Sequence, residues 1–310
     1  MRDIARLILA KALHRLKTVK LGHRITDSRF AELVCGSGVA IAELRNGAKA
    51  IVIVDDYVGR ALYLWGEHDP RINAVVDAVL QPGDTMLDIG ANLGAVGLFA
   101  APKVGPTGRV HMFEPQPLLA QYLRTSVLMN GFSQAEVHEC ALSDRDADGE
   151  MEVVASANLG MTHIAREGDE AKGKRIHVQM EDTNRCLRSL GCGRVALIKL
   201  DVEGHEPVIL GSMRDWLRET EPGVILFECH LNGGTFWEQE PVRILSGVGY
   251  EFLAYDLTRI WRTRLYPVSR GMSKPAGYDF VAIRRQGPGG EGARRLEPLV
   301  TTRAGRGNFS

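Results

Sequence analysis

"TMLDIGANLGAVGLFA", residues 85–100, decides the fold. Thr85 to Ile89 is a β-prone run, Gly90-Ala91-Asn92-Leu93-Gly94 turns the chain, and Ala95 to Ala101 continues as an apolar, helix-like run. That order is a βα turn of the nucleotide-binding kind. A dinucleotide fold would show G-x-G-x-x-G here. The chain instead has D-x-G-A-N-x-G, in which only Gly90 and Gly94 keep a glycine spacing and Asp88 lies at the strand's end.

That acid matters for the ligand. A pyrophosphate on the following helix N-terminus would meet a carboxylate, which is unfavourable. A cationic ligand without phosphate is favoured, and S-adenosylmethionine (SAM), with an ammonium and a sulfonium, is one. Gly90 and Gly94 let its methionine part pass close to the backbone. The next strand ends "GRVHMFEP", residues 108–115, and puts Glu114 at its tip. An acid there accepts hydrogen bonds from both ribose hydroxyls, as it would for NAD, so Glu114 identifies a ribose and not the cofactor.

Further out, strands at 85–89, 109–113, 136–142, 195–200 and 224–229 alternate with helices at 94–102, 117–130 and 206–219. Apolar runs without polar alternation predict strands covered on both faces, hence a parallel α/β sheet. "YEFLAYDL" (250–257) and "YDFVAIRR" (278–285) follow without a convincing helix between them and predict an antiparallel closing pair. Upstream, residues 25–66 read as a small β-rich lead-in with a hairpin at Asn46-Gly47, and a helix starts at Asp69-Pro70. Residues 150–184 read as an inserted hairpin. Four segments result: a basic amphipathic helix at 1–24, the lead-in at 25–66, the main domain at 67–285, and a Gly- and Arg-rich tail at 286–310 read as disordered.

The 310 residues have a formal net charge of zero, unevenly spread. Residues 1–24 hold seven Lys/Arg and one Asp, residues 284–310 hold six Arg and two Glu, and the middle carries 25 basic and 35 acidic residues. An acidic body excludes the basic face of a nucleic-acid binder. The basic helix 1–24 is read as docked on its own domain, with peripheral contact to an anionic membrane as the lesser reading. No run is long enough to span a membrane. Cys35, Cys140, Cys186, Cys192 and Cys229 form no C-x-x-C pair and read as reduced thiols of a cytoplasmic protein.

In order, "WGEHDP" (65–70), "GDTMLDIGANLG" (83–94), "GRVHMFEPQP" (108–117), "LMNG" (128–131), "ECALSD" (139–144), "IKLDVEGHE" (198–206) and "PGVILFECH" (222–230) resemble an FkbM-type SAM-dependent methyltransferase over about residues 60–285. The resemblance implies a class I methyltransferase, α/β and Rossmann-like. Its seven-stranded sheet would run 3-2-1-4-5-7-6 with strand seven antiparallel. It implies methyl transfer to a hydroxyl of a small molecule or sugar, with a glycan or secondary metabolite as acceptor. Cofactor residues are then Glu67, Asp88, Gly90, Asn92, Gly94, Glu114, Ala141 and Asp201. Glu67 also reads as a helix N-terminal acid, and Asn92 as a residue that holds its own turn.

An aliphatic hydroxyl must lose its proton as the new bond forms. Asp201, His205 and His230 are the candidate bases, gathered with Glu228 by the ends of strands four and five. His205 reads equally as a base and as the cap of the helix that "GHEP" begins. Lys199 reads as a structural ion-pair partner. Metal ligation by Asp201, Glu228 and His230 is a lesser reading, and no metal is assigned. The loop "SANLGMTH" (156–163), with Asn158 and His163, reads as an acceptor cover or a solvated tip. The rivals are an NAD-dependent oxidoreductase or epimerase, whose glycine motif and Tyr/Lys pair are missing, and a non-catalytic SAM-binding module, against which the acidic cluster argues.

Overall fold

Five-residue apolar runs separated by helix-length segments can bury both faces only inside a layered α/β domain. The structure, a computed structural model, describes residues 25–153, 163–164, 174–231, 233–258, 262–287 and 289–301. The helix at 1–24, the loop residue Asn158 and the last residues of the tail lie outside them.

The lead-in starts with α1 (Arg29–Cys35), then the antiparallel pair β1 (Val39–Glu43) and β2 (Lys49–Ile53). Asn46 Oδ1 accepts the Ala48 N–H across the turn at 3.0 Å. The expectation of further β-structure up to residue 66 is corrected. "YVGRALYLW" is a helix, α2 (Tyr57–Trp65), because Asp56 accepts the Gly59 N–H at its start and Gly66 closes it in the left-handed conformation. Its Leu62, Leu64 and Trp65 are buried. The helix α3 (Pro70–Val79) follows, capped by Asp69.

The large sheet contains β3 (Thr85–Ile89), β4 (Arg109–Phe113) and β5 (Ala135–His138). Helices α4 (Gly97–Val104) and α5 (Pro117–Asn130) cross between them. The run expected as one strand at 136–142 divides: β5 stays in the large sheet, and β6 (Ala141–Ser143) joins a second one. That second sheet has the order β6-β9-β7-β8, with β7 (Ala147–Val153), β8 (His163–Ile164) and β9 (Lys174–Asp182). β7 and β9 pair antiparallel, which is the inserted hairpin.

After α6 (Thr183–Ser189) the chain re-enters the large sheet as β10 (Val195–Leu200), buried at every residue. The helix expected at 206–219 breaks at Met213 into α7 (Glu206–Ser212) and α8 (Arg214–Thr220). Then come β11 (Val224–Glu228), α9 (Glu240–Gly247), β12 (Glu251–Tyr255), β13 (Leu265–Pro267) and β14 (Asp279–Ile283). The sheet order is β5-β4-β3-β10-β11-β14-β12-β13. This is the order 3-2-1-4-5-7-6 with an eighth strand, β13, added antiparallel at the edge. β14, the strand expected to run antiparallel, does so against both neighbours. Strand alternation divides the core: Met86 faces one apolar layer, Leu87 and Ile89 the other. Among the described residues no helix is long and apolar enough to cross a membrane.

The segment from Gln286, expected to be disordered, is corrected as far as Thr301. α10 (Gly290–Arg295) packs on the domain, Arg295 donates to the Val79 carbonyl at 2.7 Å and Asp84 at 2.6 Å, and Leu296 is fully buried. Composition hid this, because one leucine and one arginine anchor a Gly-rich stretch. Leu296→Ala is expected to cost about 2–5 kcal/mol, read as a lower melting temperature. An unchanged melting temperature would return the segment to a mere tail.

Candidate functional site

The carboxyl ends of β3, β4 and β10 open on one cavity of about 300 Å³. Its rim includes Gly90 to Asn92, Phe113 to Gln116, Cys140 to Leu142 and Lys199 with Asp201 to Glu203. Gly90 is required by its neighbour: φ is +81°, and a Cβ there would lie 1.9 Å from the Asp201 carbonyl oxygen. Gly94 also has φ +81°, and its Cβ would meet Leu123 Cδ1 at 2.4 Å. Gly94 does not line the cavity. Gly94 therefore answers to α5, which corrects the expectation that it makes room for a ligand, while Gly90 answers to the Asp201 carbonyl and stays on the cavity rim.

Asp88 is corrected too. It is fully buried and does not line the cavity. Its Oδ2 accepts the Gly97 N–H at 2.8 Å, and its Oδ1 lies 3.7 Å from Lys199 Nζ. Burial pushes its carboxyl above the usual range, while Lys199 and the Gly97 N–H pull it back. Lys199 is the ion-pair partner expected from sequence: Nζ donates to the Gly90 carbonyl at 2.6 Å and sits 3.4 Å from Asp201 Oδ2.

Glu114 is buried in the rim, where Oε2 accepts the Asn92 N–H at 2.8 Å and Oε1 the Gln116 N–H at 2.9 Å. Burial pushes its carboxyl up to about 7. Each oxygen keeps a further lone pair, so the group is oriented and still able to accept. Asn92, at φ +52°, turns its Oδ1 onto the Leu93 N–H at 2.7 Å, which is the turn-holding reading. Ala141 lies in the rim as expected. Glu67 does not; it pairs with Arg45 at 3.4 Å, and the residues of "WGEHDP" that reach the cavity are His68 and Asp69. The lining contains one Lys or Arg, Lys199, already held by two carboxylates and a carbonyl. Such a lining suits a nucleoside without phosphates and a ligand that carries positive charge.

A smaller recess shares Lys199 and Asp201 with this cavity and adds Glu228, Tyr255, Asp279 and Phe280. The antiparallel register sets Glu228 opposite Asp279. Glu228 Oε1 lies 3.0 Å from His230 Nε2, and the His230 ring packs on Tyr278 at 4.8 Å. Glu228 Oε2 and the Tyr255 hydroxyl are buried and hydrogen-bond to no described residue. Burial and neighbouring acids push Glu228 up to about 8. The same causes push Glu203 to about 7 and Asp279 to about 6.

His205 lies away from this group. Its Nε2 is 3.1 Å from Ser143 Oγ, on the larger cavity, and its side chain does not cap α7. Glu206 instead reaches back to the Val202 N–H at 2.9 Å. Asp201, Glu228 and His230 do not gather their donor atoms at metal-ligand spacing among the described residues. Of the loop 156–163 only the backbone of His163, in β8, is described. Sequence reading missed Asp279 and Tyr255. Their signal was available, because an antiparallel seventh strand beside the fifth must bring one end of "YDFVAIRR" against "FECH".

The raised carboxyls bind protons more readily in the folded chain than in the unfolded one. Their contribution to stability is complete below about pH 4 and lost as pH rises. The loss begins near pH 4 and ends at each folded-state value, about 6 for Asp279, about 7 for Glu114 and Glu203, and about 8 for Glu228, so above pH 7 it comes mainly from Glu228. The ligand-free protein is expected to melt lower at pH 8.5 than at pH 6. Glu228→Gln, which cannot ionise, should reduce that fall by about 2–4 °C. An identical fall in the variant would show that Glu228 titrates normally.

The methyltransferase FkbM domain model matches residues 88–257, more than half of the chain. The 31-O-demethyl-FK506 methyltransferase FkbM of Streptomyces tacrolimicus is 27% identical over 245 residues, covering 70% of this chain and 90% of that protein. Among solved structures, methyltransferase FkbM from Methylobacillus flagellatus KT is 14% identical with a TM-score of 0.39. The alignment covers 73% of this chain and 53% of that one, so this chain spans about half the length of that protein. A SAM-dependent O-methyltransferase from Thermotoga maritima is 17% identical with a TM-score of 0.38, covering 80% and 78% of the two chains.

Proposed function

We propose that this chain, which belongs to the FkbM methyltransferase family and is a SAM-dependent methyltransferase, methylates a hydroxyl oxygen of a small molecule or sugar. The observation that carries the reading is the orphaned pair in the smaller recess. Glu228 Oε2 and the Tyr255 hydroxyl are buried and hydrogen-bond to no described residue, in a recess that Asp201 also lines. A buried acceptor left without a donor costs about 1–3 kcal/mol, and an incoming hydroxyl supplies that donor. The Streptomyces relative is named for an O-demethyl compound, which supports oxygen as the receiving atom.

In this reading the larger cavity is the cofactor side. Glu114 accepts from the ribose hydroxyls, and the Gly90–Asn92 backbone and Ala141 border the nucleoside. Bound SAM supplies a methyl group on a sulfonium, activated for in-line displacement. Asp201, on the wall between the two spaces, offsets positive charge from the acceptor side. Lys199 fixes Asp201 and the glycine turn together, so the wall is rigid.

The acceptor's hydroxyl donates to Glu228, which takes the proton as the oxygen is methylated, and His230 passes it to solvent. A carboxyl pushed to about 8 is a stronger base than an ordinary one, and it is matched to operation near neutral pH. His205 stays on the cofactor side and serves to join β6 to α7 through Ser143. The test is incubation with methyl-labelled SAM and matched panels of hydroxylated, aminated and thiol acceptors, with the product bond read by mass spectrometry. Label in a methyl ether is expected. Label confined to nitrogen, sulfur or carbon products would overturn the choice of oxygen.

A further inference from the structure

We propose that His111, Glu136 and His138 form a binding site for a zinc-class divalent cation on β4 and β5, separate from the methyl-transfer site. None of the three lines either cavity. The parallel register pairs His111 with Glu136 and Phe113 with His138. Residues two apart on a strand share a face, so all three polar side chains project from the same side of the sheet. β5 is the last strand on that side, so an ion here would tie the sheet's edge to its neighbour.

The donor geometry suits a small tetrahedral ion. His111 Nδ1 lies 3.1 Å from His138 Nε2 and 3.6 Å from Glu136 Oε2. The three donor atoms lie within 4.8 Å of one another, the one such group among the described residues. Bonds of 2.0–2.2 Å at tetrahedral angles put donors about 3.3 Å apart, which the two shortest separations bracket. Two imidazoles and one carboxylate are a zinc donor set that leaves a fourth position for water. Nitrogen donors disfavour Mg²⁺ and Ca²⁺, which take oxygen.

The surroundings support ligation. His111 is buried, and the His138 ring is stacked on Phe113 with centroids 4.6 Å apart, which fixes its plane. Without an ion, one imidazole N–H donates to the other ring; a cation takes the place of that shared proton. Glu136, 66% exposed, brings the negative charge and leaves an entry path.

The experiment is calorimetric titration of chelator-treated full-length protein with Zn²⁺, repeated with Co²⁺ and read by visible absorption. The parent should bind one ion per chain, with a tetrahedral Co²⁺ spectrum free of thiolate bands. Glu136→Gln, an exposed change, and His138→Asn should each weaken binding by about tenfold or more. SAM binding by both variants, expected to match the parent, reports that they are folded. No saturable binding by the parent, equal affinity in both variants, or a thiolate spectrum from the free cysteines would each overturn the proposal.

Discussion

Glu228→Gln is expected to lower turnover by about 10²–10⁴-fold while SAM affinity stays at the parent value. The glutamine has the shape of the protonated acid, and burial already favours that neutral form. The fold should therefore tolerate it, and the lost rate isolates the lost base. Because the group acts as a base only when ionised, parent turnover should rise with pH through about 8. The variant should lose that rise. His230→Ala removes the ring 3.0 Å from Glu228, and Asp201→Asn removes charge from the shared wall. Both should reduce turnover with cofactor binding retained, whereas His205→Ala should move turnover less than either. Parent-like rates in Glu228→Gln, Asp201→Asn and His230→Ala together would put proton removal elsewhere.

Glu114→Ala is expected to weaken SAM binding by about 10²–10⁴-fold. Two hydrogen bonds to a charged acceptor are lost, at roughly 1.5–3 kcal/mol each. The carboxylate is the accepting form, so SAM affinity in the parent should climb as pH passes through about 7. The change also releases the Asn92 and Gln116 N–H groups, so a melting curve without ligand must accompany calorimetry. Glu114→Gln, which keeps the volume and one acceptor, should fall between. Lower stability with unchanged SAM affinity would leave Glu114 as a brace for the glycine turn and nothing more.

The strands that carry this site were legible because each is a short apolar run closed by a polar residue. "TMLDIG", "VHMFEP", "IKLDVEG" and "ILFECH" all end where the sheet opens. Their neighbours follow from the order 3-2-1-4-5-7-6, which the resemblance supplied and residue spacing alone did not. What sequence reading lost was side-chain direction over short distances. Asp88 and Glu114 both sit at or near strand ends, yet Asp88 turns under the sheet toward Gly97 while Glu114 stays on the rim. No periodicity separates them, since the difference lies in α4 beginning at Gly97 and offering an N–H below the strand.

Gly94 misled for a similar reason. A glycine that avoids a neighbouring side chain looks the same in sequence as one that admits a ligand. The helix α2 was missed because "RALYLW" has the composition of a strand, and only the Asp56 cap reveals the helix. The strand at 136–142 was drawn too long because its two halves follow one another without a turn signal while belonging to different sheets.

A crystal structure with S-adenosylhomocysteine bound tests the division of the site most directly. The ribose hydroxyls should lie within hydrogen-bond distance of the Glu114 carboxylate, the adenine beside Ala141, and the sulfur toward Asp201 with the Glu228 recess open beyond it. A product molecule bound away from Glu114, or one whose sulfur faces away from Asp201 and Glu228, would contradict the account.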